Sequence, residues 1–158
     1  MTTIRFQAMP TAQAHAYQEG GLDAYGLLPE RHLSDGDGVP CRHCLSNVDA
    51  GEEYLILAHR PFSAAQPYAE TGPIFLHAKP CKRHPDSTEL PAMFLGCERF
   101  LMRGYGADER IVYGTGAVVP IAGIAGRAAE LLARPDIAFV DMRSAYNNCF
   151  QCRVTRGS

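Results

Sequence analysis

Apolar and polar positions alternate from the start of the chain. Ile4, Phe6 and Ala8 are separated by Arg5 and Gln7, the period of a half-buried strand. Pro10-Thr11 opens a helical stretch through about Gln18, and Gly20-Gly21 ends it. Gly26, Pro29, Gly36 and Gly38 punctuate residues 22–39, which therefore read mostly as loop. Tyr54 to His59 is an almost unbroken apolar run, the pattern of a strand buried on both faces. A long connection over residues 61–72 follows, of a length that in compact domains is often functional. Ile74 to His77 reads as a short strand, and residues 80–91 as loop.

The second half predicts more strands and one helix. Phe94 to Arg103 and Arg110 to Tyr113 read as strands, with turn chemistry at Gly104, Gly106 and Asp108 between them. Ile121, Ile124, Ala125, Ala128, Leu131 and Leu132 fall on one face of a helix. Pro120 suits its start and Pro135 stops it. Gly123 and Gly126 each cost that helix about 1 kcal/mol relative to Ala, so it needs a sheet to pack on. Ile137 to Arg143 and Cys149 to Thr155 are the last strands, joined by a hairpin-length turn. No linker or repeat divides the chain. The expectation is a single domain over residues 1–156, of the α+β class, with a largely antiparallel sheet packed with one or two helices. The closing Gly157-Ser158 has the look of a cloning remnant.

Composition narrows the function. The net charge of -2 offers no basic stripe for nucleic acid. No apolar run approaches the roughly 18 residues of a membrane helix. Met1-Thr2-Thr3-Ile4-Arg5 lacks the basic and apolar regions of a secretory signal, so a cytoplasmic location is expected. In that compartment six cysteines are thiols or metal ligands rather than disulfides. Thirteen arginines stand against two lysines. That bias suits anion recognition, and it equally suits a GC-rich genome, so arginine position has to carry any functional claim.

Three segments bear a likeness to a known family. They are Pro40-Cys41-Arg42-His43-Cys44-Leu45, the block Pro67-Tyr68-Ala69-Glu70-Thr71-Gly72-Pro73-Ile74-Phe75, and the run from Ala138-Phe139-Val140-Asp141-Met142-Arg143 to Cys149-Phe150. In order and spacing they resemble the bacterial family known as domain of unknown function 1203. The resemblance implies a soluble single-domain protein and supplies no activity.

Two half-sites carry the chemistry. Cys41-Arg42-His43-Cys44 and Cys81-Lys82-Arg83-His84 each hold two ligands separated by two residues, which can bend onto one tetrahedral Zn²⁺. The half-sites flank the strands near residues 54–59 and 74–77. If those strands pair as a hairpin, Cys41, Cys44, Cys81 and His84 meet at its open end. The competing reading makes the cysteines small buried core residues. Cys149 and Cys152 open a strand rather than a helix and read as core packing, not a redox motif. Cys97 reads as a lone strand cysteine in the core.

Polar residues at strand ends suggest a second candidate. Arg60, Tyr68, Glu70, His77, Arg103 and Arg143 could line a pocket for a small anionic molecule, a carboxylate or a phosphate. Each has a plainer role as a surface pair, a loop pin or a core histidine. No phosphate-cradling loop, zinc-protease motif or serine-nucleophile elbow occurs. The expected function is a small-ligand or interaction module stapled by one structural zinc, acting as monomer or homodimer. The alternative is an enzyme using a cysteine thiolate, in a pair such as Cys81 with His77 or His43, or a metal held by Cys41, Cys81 and His84 with an open position.

Overall fold

The computed structural model describes residues 2–157. They form two compact units. One comprises the chain through Gln7, Phe62–Ala69, and everything from Pro85 on; the other comprises Ala8–Pro61 and Glu70–His84.

The first unit is built on a five-stranded sheet. Its strands are β1 (Ile4–Gln7), β5 (Arg99–Tyr105), β6 (Ala117–Pro120), β7 (Phe139–Ser144) and β8 (Phe150–Arg156). Their order is β1-β8-β7-β5-β6, and each neighbouring pair is antiparallel. The helix α2 (Ile124–Leu132) follows a 3₁₀ turn at Ile121–Gly123. It contacts β1, β6, β7 and β8. Ile124, Ala128, Leu131 and Leu132 are buried as their spacing predicts, but Ala125 is exposed. Burying each of the three large side chains is worth about 1.5–3 kcal/mol, which offsets the two glycines. Phe6, Phe100, Met102, Val140, Met142, Cys152 and Val154 complete this core.

The second unit carries the helix α1 (Thr11–Gln18) and a three-stranded sheet. Its strands are β2 (Glu30–Leu33), β3 (Glu53–His59) and β4 (Gly72–His77), in the order β2-β3-β4. β3 and β4 pair antiparallel from Tyr54 opposite His77 to His59 opposite Gly72. Val39, Cys41, Val48, Leu55, Leu57, Ile74, Leu76 and Ala78 form its core with Met9 and Ala14.

The α+β class and antiparallel sheets hold, and five local readings change. Residues 22–39 are not all loop: β2 lies within them, an edge strand with all four residues exposed, so it has no apolar alternation to announce it. β3 buries one face, not two: Leu55, Leu57 and His59 point inward and alternate with half-buried neighbours. Ala92–Gly96 is a 3₁₀ turn, and β5 begins only at Arg99. Cys97 falls between the two and is exposed. Arg110 to Tyr113 forms no strand. Ile111 makes a single bridge to Tyr105, the chain turns at Gly114 (φ +89°), and pairing with β5 resumes only at Ala117. The absence of a side chain at Gly104 permits this, because a Cβ there would sit 3.3 Å from Thr115 and 3.0 Å from Ile137.

Candidate metal centre

The site grows from a tight turn. Cys41 N–H donates to the Ser46 carbonyl at 3.0 Å, and Leu45 N–H donates to the Cys41 carbonyl at 3.0 Å. Leu45 closes the turn with φ 51°, and Pro40 bridges Asn47 across it. This winding turns both Cys41 and Cys44 toward one side. The turn docks beside β4: Cys41 bridges Phe75 in parallel, and Arg42 N–H donates to the Phe75 carbonyl at 3.1 Å. His77 lies two residues beyond Phe75, on the same strand face. Pro80 then leads Cys81 back to the turn.

Four donor atoms converge there. Cys41, Cys44, His77 and Cys81 offer ligand atoms that all lie within 4.8 Å of one another. The Cys41 and Cys81 sulfurs are 3.9 Å apart, and the Cys44 sulfur is 3.4 Å from His77 Nδ1. A tetrahedral Zn²⁺ with bonds of about 2.0–2.3 Å sets its ligand atoms roughly 3.5–3.8 Å apart. This Cys₃His cluster could therefore hold a metal ion such as zinc.

Electrostatics point the same way. The Cys41 thiol is held well below its ordinary range by hydrogen bonds from the Cys44 and Cys81 thiols, with help from the Cys44 and His77 backbone N–H groups. As donors to Cys41, Cys44 and Cys81 are both pushed up. A divalent ion would let all three ionise.

Outer groups orient the ligands. His77 Nε2 lies 3.5 Å from a Glu52 carboxylate oxygen, which leaves Nδ1 facing the sulfurs. His43 is fully buried, and burial holds its pKa down, so the ring is neutral. Its Nδ1 is 3.1 Å from the Cys81 sulfur and its Nε2 is 2.9 Å from the Thr11 hydroxyl. A thiolate at Cys81 takes a hydrogen bond from Nδ1–H, and the Thr11 hydroxyl then donates to Nε2.

Of the four ligands expected from the sequence, Cys41, Cys44 and Cys81 come together, and His77 occupies the fourth position. His84 is not among the clustered donors; its backbone N–H donates to the His43 carbonyl at 2.9 Å. The strand-end residues divide between the units. Arg60, Glu70 and His77 belong to the three-stranded unit, and Tyr68, Arg103 and Arg143 to the five-stranded one. Tyr68 hydrogen-bonds the Tyr113 hydroxyl at 2.8 Å, with Arg110 over its ring. Arg103 and Arg143 lie within electrostatic reach of Asp141. Asp141 is fully buried and accepts two hydrogen bonds from Arg153, at 2.7 and 3.0 Å. The guanidinium carbon of Arg153 sits 3.8 Å from the centre of the Phe139 ring.

The sequence offered His43 as a partner for Cys81, and the two lie 3.1 Å apart; it missed Thr11 and Glu52 as supporting groups, and the Asp141–Arg153 pair. A usable signal existed for that pair, since two opposite charges faced each other across the last hairpin. Thr11 and His43 are 32 residues apart, and no local pattern joins them.

No helix among the described residues is long and apolar enough to cross a membrane. No curated protein and no solved structure matches the chain. The family model described as protein of unknown function (DUF1203) matches residues 38–156, a span that includes all four clustered ligands. The chain belongs to the DUF1203 family.

Proposed function

We propose that this protein is a small binding module whose three-stranded unit is stapled by one structural zinc ion. The ion is held by Cys41, Cys44, His77 and Cys81. The convergence of these four donors carries the reading. Four protein ligands complete a tetrahedral shell and leave no position for water or substrate, which favours a structural role over a catalytic one. The donors come two from each of the segments that make up the unit. One ion would thus tie Ala8–Pro61 to Glu70–His84.

Mass spectrometry of intact protein, with a thiol count before and after chelation, tests the reading. The expected result is one equivalent of zinc, with three further thiols reactive once it is removed. Absence of metal, with no uptake from added zinc, rejects it.

The contact between His43 and Cys81 favours one rival. In the tautomer whose Nε2–H donates to the Thr11 hydroxyl, His43 Nδ1 is placed to accept the Cys81 proton, the arrangement of an activated nucleophile. Rapid alkylation of Cys81 alone well below pH 8.5, in metal-free native protein, would select the rival.

A further inference from the structure

The zinc reading leaves the four ligands unequally accessible. A cavity of about 420 Å³ is lined by Glu52, His77, Lys79, Pro80 and Cys81, among others. Cys41 is buried. A small reagent arriving through the cavity therefore meets Cys81 first. The Cys41 sulfur waits 3.9 Å behind it. A disulfide between them would bring the two sulfurs to roughly 2.05 Å. Cys81 also carries the hydrogen bond from His43, which fixes where its sulfur points.

We propose that Cys81 is the oxidation site of the zinc centre, that its oxidant is a small hydroperoxide, and that Cys41 is the resolving thiol. The proposal rests on the zinc reading. The Cys81 thiolate attacks one peroxide oxygen; an S–O bond forms, the O–O bond breaks, and the departing oxygen takes a proton to leave as water or alcohol. The product is a sulfenic acid at Cys81. The Cys41 thiolate then attacks that sulfur; an S–S bond forms and the sulfenic oxygen leaves as water with a second proton. Two thiolates have lost two electrons, and the peroxide has gained them. Only Cys44 and His77 remain as ligands, too few for a structural zinc, and the ion departs. A dithiol reductant returns both electrons and lets the ion rebind.

The experiment uses the full chain and begins with its zinc content. A chain that neither contains nor takes up zinc defeats the zinc reading and this inference with it. Zinc-loaded protein is then treated with hydrogen peroxide. Release is followed with a chromophoric chelator, and disulfides are mapped by peptide mass spectrometry. The expected result is zinc release in step with a Cys41–Cys81 disulfide, Cys44 remaining a free thiol, and recovery on adding dithiothreitol and zinc. The Cys97→Ser variant, which removes an exposed thiol, should behave the same way. Retention of zinc under peroxide that oxidises Cys97 overturns the inference and leaves the zinc reading standing. A first disulfide that contains Cys44 also overturns it.

Discussion

Each unit buries one strongly polar centre, and the two are satisfied in different ways. In the five-stranded unit, Asp141 has no exposed surface, yet Arg153 on the neighbouring strand meets both its oxygens. Burial pushes the Asp141 pKa up, while Arg153, Arg143 and Arg103 pull it down. The charge is answered within the chain. In the three-stranded unit, three sulfurs and an imidazole face one another, and the hydrogen bonds among the thiols pull the Cys41 pKa down and push those of Cys44 and Cys81 up. In the zinc reading, a cation from outside would complete their chemistry. A centre closed by its own side chains folds with the protein alone, whereas a centre built of like donors makes folding conditional on an ion.

Removing that ion should have the largest effect. Structural zinc binds small domains with about 10–16 kcal/mol, a part of which is folding energy. Chelation, or the Cys41→Ala substitution, should therefore lower the thermal midpoint sharply and lose β signal in circular dichroism. An unchanged melting curve after complete stripping would show that the cluster stabilises nothing.

Breaking the other centre comes next. Arg153→Met should cost about 3–5 kcal/mol, because it takes both hydrogen bonds from the fully buried Asp141 carboxylate, and Asp141→Asn should cost less, because Arg153 is partly exposed. Asp141→Leu combined with Arg153→Met should cost less than either single change. Urea denaturation measures all three. A double variant as unstable as the sum of the singles would mean that the two side chains act independently and that their pairing stabilises nothing.

Asp23 offers an intermediate case, a carboxylate answered by backbone. Its Oδ1 accepts from Tyr25 and Leu27 N–H, and its Oδ2 accepts from Ala58 N–H at 3.0 Å. Burial acts to raise its pKa, but these donors outweigh it and leave the group below the ordinary 3.8. The folded state thus binds this proton less readily than the unfolded state. Its stabilisation is present above 3.8 and is lost as the pH falls through the lower native value. Asp23→Ala should cost about 1–2 kcal/mol near neutrality. It should also flatten the dependence of stability on acid, as denaturation curves across that range will reveal.

The smallest effect is expected from the outer carboxylate at the metal. Glu52→Gln leaves the four ligands in place and weakens the hold on His77. Zinc affinity, read by competition with a chelator, should fall about tenfold, the low end for such partners. Equal affinity in the variant would show that Glu52 merely lies near the ring on the surface.

The sequence made some of this readable and concealed the rest for physical reasons. Alternation exposed β1 and a helical face exposed α2, while start and stop residues marked α1 and a hairpin-length turn marked the β7–β8 pair. β2 stayed hidden because an exposed edge strand buries nothing and so needs no alternation. The Gly104–Thr115 crossing stayed hidden because the apolar residues before it look like a strand until the backbone turns away. At the metal centre, the Cys-x-x-Cys turn was legible because its geometry is local. The fourth ligand was not. Cys81 and His84 share a familiar spacing, but the register of β4 against the Cys41 turn puts His77 at the ligand position. That register is a tertiary property which spacing along the chain does not encode.

The pairing of β1 with β8 sets Ile4 opposite Arg156 and Gln7 opposite Arg153. It consequently joins positions about as far apart along the chain as any two described residues. Contacts of such sequence separation are slow to form, since the whole intervening loop must close before they return any energy. As the chain emerges from the ribosome, the zinc ligands are all present once Cys81 is made. β1 has to wait for the seven residues of β8. The three-stranded unit is then positioned to assemble first, and pairing of β1 with β8 closes the longest loop between paired strands.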